Sequence, residues 1–483
     1  MSTTISSNRL MIQLTRIFGH ANALDEENAI FLEDLSVRTW RSAVREVISN
    51  VPLDMQDQGG NYDQYYAWYW EFLEREWAKV PAEKQDVVVG GNPSADHLHP
   101  RHLAKLYEIL TFLAHGLTHQ DRPALSELTA QVENKGFFKS NTGGDDGGVR
   151  NQLVFIAIGW LTMLFEPNLS PQNGSISVQP TLDTKGQIMS SDIFDTISAT
   201  LSETRGIPLH QLLKHFGTLI PTEFWTHRHT NNWAPDTFSE QIVVSCINYR
   251  TLYRIAGIKL EFTSSASLHL DFDERTKTIK IFQYPSFCMM VASGISSTEI
   301  VDSQHYAYLN RLFQDYLRGN MVEMSDQDRT ESNKSHEKID IRAFYLEILM
   351  SYRLIFGQNR GSWKLFSSHH KKRNFSDPLL LRLCAKNCRK EMTYSESFIP
   401  QPKPQYSVRK DFAFFGERLV HLQRFVIEQD PGDFWTLWYD KRDILRYYTF
   451  WAVIWVGGVS LLLSLAQNVI GILQLRSSKN GTG

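Results

Sequence analysis

The stretch YYTFWAVIWVGGVSLLLSLAQNVIGILQL, Tyr447 to Leu475, decides the class of this protein, because no charged residue interrupts it. Its roughly 29 residues make a helix of about 43 Å at 1.5 Å per residue, enough to cross an apolar bilayer core of about 30 Å with some tilt. Lys441, Arg442 and Arg446 precede it, and Arg476 and Lys479 follow it. Trp435, Trp438, Tyr439, Tyr447, Tyr448 and Trp451 crowd its leading side, where amphipathic rings favour the headgroup layer. Few buried core helices run this long without a charge. The reading is therefore a transmembrane helix over 444–475 with a short tail, 476–483.

The span carries an internal pattern. Gly457, Ser464 and Gly471 recur every seven residues, and Ser460, Gln467 and Gln474 do the same, offset by three. Together they form a seam of small and polar residues at heptad spacing, which suits a left-handed crossing with a second helix. In lipid, helices associate by close packing of small residues and by side-chain hydrogen bonds. The seam predicts homo-oligomerisation through this helix. The competing reading places Gln467 onward in the wet interface.

Outside the span the composition is that of a folded protein, 42% hydrophobic and 21% charged over 483 residues. Net charge is −3, so no field draws the whole molecule to nucleic acid. The four cysteines, Cys246, Cys288, Cys384 and Cys388, are too few and too scattered for a disulfide scaffold. Cys384 and Cys388 lie a turn apart among Lys386, Arg389 and Lys390, a setting that lowers thiol pKa; two small apolar residues on a core face is the simpler account. The opening MSTTISSNRLMIQLTRIFGH holds no apolar run of signal-peptide length. The expectation is a tail-anchored, single-pass protein with its body in the cytosol, on the endoplasmic reticulum or another endomembrane. On that topology the sequons at Asn168, Asn173, Asn333, Asn374 and Asn480 are coincidental.

The body reads as mainly α with a small β-hairpin element. Expected regions are an α-rich part over 1–322 with a hairpin near 267–284, a polar linker over 323–339, and a helical part over 340–430. Val37, Trp40, Val44, Val47 and Val51 fall at helical spacing, opposite Arg38, Arg41 and Arg45. Residues 61–80 place Tyr62, Tyr66, Tyr69, Phe72, Leu73 and Val80 on one helical stripe, a core face. Asp96–Asp121 reads as a helix with Pro100 in its first turn and Gly116 and Pro123 marking its end. Leu153–Phe165 is apolar throughout but only 13 residues long, which means a buried core helix. Further helices are expected near 191–203, 207–217, 241–255, 340–356, 378–391 and 408–428. Leu268, Leu270 and Phe272 alternate, as do Ile279 and Ile281 after a turn at Asp273–Thr276, which predicts the hairpin.

Three strings, SLHLDFDERTKTIKIFQYPSFC (267–288), IGWLTMLFEP (158–167) and DFWTLWYDKRDILRYYTFWAV (433–453), resemble a group of large filamentous-fungal proteins to which no activity is assigned. The resemblance implies a fungal membrane protein and carries over no catalytic residue.

Linear signatures of chemistry are weak. His115 and His119 stand four apart, a spacing by which one helix can offer two nitrogens to zinc, but Gly116 replaces the glutamate of the zinc-protease motif. Glu108 shares their face two turns away, about 10 Å along the axis. His97, His99, His102, His227 and His229 would add ligands only if the fold converged them. NTGGDDGGVR lacks the Lys-Ser/Thr ending of a phosphate loop, and GQNRGSWK (357–364) has the wrong spacing. The basic run His369–Arg373, HHKKR, is a candidate headgroup contact. No cofactor or metal is expected, and no nucleic acid. Two functions remain: a non-enzymatic scaffold on the membrane, or a tethered enzyme whose site gathers the histidines.

Overall fold

The computed structural model describes residues 41, 63–89, 100–139, 147–169, 175–178, 206–216, 241–293, 307–321, 341–370, 373, 377–384, 402–429 and 444–480. In chain order the first elements are α1 (Asp63–Lys79), α2 (Ala82–Val89), α3 (Pro100–His119), α4 (Leu125–Asn134), α5 (Gly147–Thr162) and α6 (Leu209–His215). Then come β1 (Gln241–Val243), α7 (Val244–Ile247), α8 (Tyr249–Arg254), β2 (Lys259–Thr263), β3 (Phe272–Asp273), β4 (Thr278–Phe282), α9 (Pro285–Ser293) and α10 (Ala307–Met321). The last are α11 (Ile341–Tyr352), running into a π turn at Arg353–Gly357, α12 (Arg360–His370), α13 (Pro378–Cys384), β5 (Gln405–Ser407), α14 (Val408–Asp411), α15 (Gly416–Glu428) and α16 (Ile444–Asn480). The protein is mainly α with small sheets.

Helix α5 is a core helix. Nearly every side chain from Gln152 to Thr162 is buried, so the apolar run faces protein on all sides. Several of its polar groups are answered, although Asn151 Oδ1 and Gln152 Oε1 are buried with no hydrogen-bond partner among the described residues. Gln152 Nε2 donates to the Ser175 carbonyl at 2.7 Å, and Thr162 Oγ1 to the Ile158 carbonyl at 2.8 Å. Arg150, at the helix start, pairs with Glu133 and donates to the Lys139 carbonyl. A buried polar group without a partner costs more than a made hydrogen bond gains, so these partners are what admit the residues to the core. Around α5 the aromatic stripe of α1 packs inward as expected. Tyr69, Phe72, Leu73 and Val80 are buried, joined by Trp68 and Trp77. Trp68 stacks on Tyr284 at 5.1 Å, and Phe72 meets the same ring edge-on at 5.0 Å. The stripe's Tyr62 and Tyr66 lie outside the residues whose side chains are described, as do 35–40 and 42–51, 191–203, and the linker at 323–339.

Two local readings change in the structure. The hairpin forms: β3 pairs antiparallel with β4, Phe272 opposite Ile279. Its turn is tied by the Asp273 carboxylate, which accepts from Arg275 N at 2.9 Å and Thr276 Oγ1 at 2.7 Å. Residues 267–270, however, are a buried turn and not strand, with Leu270 at φ 61°. Leu268 and Leu270 are buried all the same, which is why the alternation looked extended. The sheet also gains a third strand, because β2 runs parallel to β4 from Lys259–Thr278 to Thr263–Phe282.

The helical pattern over 241–255 is likewise divided. Gln241–Val243 pairs antiparallel with Gln405–Ser407, some 160 residues away. Gln423 on α15 clips the strand from the side, accepting from Val243 N at 2.7 Å and donating to the Gln241 carbonyl at 2.9 Å. Tertiary pairing of this kind overrides local propensity. The expected 408–428 helix is interrupted by Phe412–Phe415, all three phenylalanines of which are buried. Helices from both sides of 323–339 share one core, with α9 and α10 packed on α11.

Candidate functional site

Helix α16 differs from every other helix described. It runs 37 residues, and Tyr448–Arg476 is long and apolar enough to cross a membrane, with none of it buried. Among the described residues, all the exposed large apolar side chains except Tyr253, Leu381 and Ile427 lie on this helix. Leu461, Leu462 and Leu463 are consecutive and each more than 60% exposed. At 100° per residue they spread across more than half the circumference, and the small and polar seam on the remaining arc carries no charge. A helix lying flat in the interface would carry a charged face, and no charge lies between Tyr447 and Leu475. Left in water, these side chains would forgo on the order of 10–30 kcal/mol of burial. Lipid removes that cost, and the backbone polar groups are satisfied within the helix, as a bilayer requires. One such helix is consistent with a single-pass membrane protein.

The seam residues sit on this span. A straight α-helix drifts only about 20° per heptad, so Gly457, Ser464 and Gly471 keep to one side within about 40°. A Cβ built on Gly457 or Gly471 meets nothing within 4 Å, as does one on Gly458. Ser460 Oγ donates to the Val456 carbonyl at 2.7 Å, so its hydroxyl is already satisfied in a single helix. Ser464, Gln467 and Gln474 are exposed.

The histidine pair is geometrically close. His115 and His119 stack with ring centroids 5.9 Å apart and planes 16° from parallel. Burial, and then the neighbouring His119, push His115 below the ordinary imidazole range. Glu108, on the same face, is engaged by Lys105 at 3.1 Å. Among the described residues no group of three or more His, Cys, Asp or Glu side chains gathers where it could hold a metal ion. His97, His99, His227 and His229 lie outside the described residues, as does the His102 side chain.

No family model, curated protein or solved structure matches this chain. What the chain can do is therefore read from its own groups.

The interior holds a serine–histidine contact that the sequence did not single out. His269 Nε2 lies 2.6 Å from Ser351 Oγ, both fully buried. Activation of a serine would need the imidazole to accept the hydroxyl proton. Here His269 Nδ1 accepts from Phe282 N at 3.1 Å, so in the neutral ring Nε2 carries the hydrogen and donates to Ser351. Ser351 Oγ passes its own proton to the Ile348 carbonyl at 2.7 Å. Burial, reinforced by Arg418, holds His269 far below the usual imidazole range, so the ring stays neutral. The chain of donors runs the wrong way for nucleophile activation. It is a structural tie between β4 and α11.

Two buried carboxyls complete the interior. Glu347 accepts from Phe414 N and Phe415 N at 2.9 and 3.1 Å, capping the start of α15, and burial pushes its pKa up to about 8. Asp377 accepts from Ser286 N, Ser286 Oγ and Leu379 N, serving the first turns of α9 and α13 together. Helix starts leave N–H groups unpaired, and these side chains answer them. Cys384 is buried and apolar in setting, while Cys388 lies outside the described residues.

Proposed function

We propose that this chain is a single-pass membrane protein whose α-rich body stands on the cytosolic side of the endoplasmic reticulum or another endomembrane and acts as a scaffold. The observation that carries the reading is α16, long and apolar enough to cross a membrane and unburied over Tyr448–Arg476. The orientation draws on the sequence, with Lys441, Arg442 and Arg446 before the span against Arg476 and Lys479 after it. The scaffold role draws on the interior, where the close polar constellations cap helices and tie elements together. The test is fractionation. Alkaline carbonate leaves the chain in membranes, and protease added to sealed vesicles removes nearly everything before Lys441. A body that protease cannot reach overturns the orientation.

The same reading includes self-association through the seam of Gly457, Ser460, Ser464, Gln467, Gly471 and Gln474. Bringing two bodies together raises the local concentration of whatever each recruits. Glycine at 457 and 471 carries no side chain to hold a second helix away. In a two-reporter membrane association assay on residues 440–483, Gly457→Leu, Gly471→Leu and Gln467→Leu each weaken the pair by about 1–2 kcal/mol. Leu461→Ile and Leu462→Ile leave it unchanged. Equal effects of seam and off-seam changes rule the seam out.

A further inference from the structure

The far end of α16 decides how thick a bilayer the helix fits. Gln467, Asn468 and Gln474 interrupt its apolar run. A span from Tyr448 that stopped at Ala466 would hold roughly 19 residues and be about 28 Å long. Yet α16 is one uninterrupted α-helix from Ile444 to Asn480, so nothing turns the segment beyond Gln467 off the axis. Val469, Ile470, Ile472, Leu473 and Leu475 continue along it, each more than half exposed. A span ending at Ala466 would leave these five outside the hydrocarbon. Each gains more from lipid than an amide loses when it finds a partner on a second helix, and Gln467 and Gln474 lie on the seam.

Two kinds of anchor mark the ends of the longer span. Trp451 stands at the leading end, where an indole favours the headgroup layer. Arg476 and Lys479 stand at the far end, where long cationic side chains reach the headgroups while their stems stay in apolar surroundings. Between these anchors residues 452–475 carry no charge. They make roughly 24 residues, or about 36 Å of helix. Were the hydrocarbon to end at Ala466, Arg476 would stand about 15 Å beyond it, past the headgroup layer.

We propose that α16 is matched to a bilayer with a hydrocarbon layer about 34 Å thick, so that the chain favours thick, sterol- and sphingolipid-rich membranes. The thickness follows from the length, since about 36 Å of helix at the usual tilt of about 20° covers about 34 Å. A sterol-rich membrane of about 33 Å asks for a tilt of about 24°. The endoplasmic reticulum, at about 27 Å, asks for about 41°, the limit of what spanning helices adopt. The penalty grows with each ångström of mismatch and is enough to sort proteins among membranes. The inference rests on the membrane reading above and narrows it, from the endoplasmic reticulum to the thicker membranes beyond it.

The experiment reconstitutes the full chain in vesicles that mix two phosphatidylcholines, one forming a hydrocarbon layer of about 27 Å and the other of about 33 Å. One lipid at a time carries bromine on its acyl chains, which quenches Trp451 and Trp455 of the span on contact. Trp68, Trp77 and Trp160 are buried in the body and supply the unquenched background. The long-chain lipid is expected beside the helix at no less than about twofold excess over the short one. Deleting residues 470–473 shortens the span by about 6 Å, leaving about 28 Å at the same tilt, and reverses the preference. The pair Ile470→Leu with Leu473→Ile keeps the length and leaves the preference unchanged. A chain that alkaline carbonate strips from the vesicles refutes the membrane reading, and this inference with it. A chain that stays in them without preferring the long lipid, or whose preference survives the deletion, overturns the matched thickness alone.

Discussion

Replacing Asp377 by alanine tests the tie that joins the starts of α9 and α13. The carboxylate is 1% exposed and receives Ser286 N at 2.7 Å, Ser286 Oγ at 2.6 Å and Leu379 N at 2.8 Å. Both helices it serves open with proline, Pro285 in α9 and Pro378 in α13, so in each case the second residue offers the first free N–H. Losing a cap costs about 1 kcal/mol at each helix, and a stranded buried hydroxyl about 1–3 kcal/mol more. Asp377→Ala is therefore expected to destabilise the body by about 3–5 kcal/mol. Asp377→Asn is intermediate at about 1–2 kcal/mol, because either orientation of the amide turns its NH2 towards one backbone N–H. Ser286→Ala, which removes only the hydroxyl donor, costs about 1 kcal/mol. The assay is urea unfolding of the full chain in detergent, followed by tryptophan fluorescence; Trp68, Trp77 and Trp160 are buried and report the core. A loss below about 1 kcal/mol for Asp377→Ala, or equal losses for Ala and Asn, would refute the double-cap account.

Glu347→Gln should change the pH dependence of stability. Burial raises the folded carboxyl from the ordinary 4.5 to about 8, so the unfolded chain releases that proton first as pH rises. The group's contribution is full below about 4.5 and is lost as pH climbs through 8, so by pH 9 the glutamine variant exceeds wild type by up to about 4–5 kcal/mol. Parallel pH profiles for the two proteins contradict this. Gly416→Ala puts a Cβ 2.5 Å from Val408 Cγ1 and 3.2 Å from its carbonyl oxygen, and is expected to cost about 1–3 kcal/mol in the same unfolding assay. Purified full chain is expected to hold no stoichiometric zinc or iron by elemental analysis. One ion per chain, lost on His115→Ala or His119→Ala, would move the protein to the enzyme class.

How far the sequence reaches is best seen by comparing its two apolar runs. Leu153–Phe165 and Tyr447–Leu475 differ mainly in length, and length separated them: the short one became the core helix α5, the long one the bare helix α16. The aromatic stripe of α1 and the Asp273 turn were equally legible, since a stripe is written in the spacing of its own residues and the turn in contacts two and three residues apart. The shortfalls share one cause. Gln241–Val243 took strand form from a partner near residue 406 and a clip from Gln423. The turn at 267–270 buries Leu268 and Leu270 as a strand would, so burial pattern alone could not tell them apart.

Sequence by itself determined that most of the chain folds around helices, that one helix is long and apolar enough to cross a bilayer, and which of its residues are small or polar. Those properties follow from spacing and composition along a continuous segment. Tertiary structure alone decided that β2 lies parallel to β4, that Asp377 serves two helices, and that His269 donates to Ser351. It also decided that Arg250 and Arg254 face Arg360 and Lys364. Each of these joins residues between about 20 and 110 positions apart. Folding brings them together by burying the apolar surface between them, and no local pattern encodes which distant partner a polar group will meet.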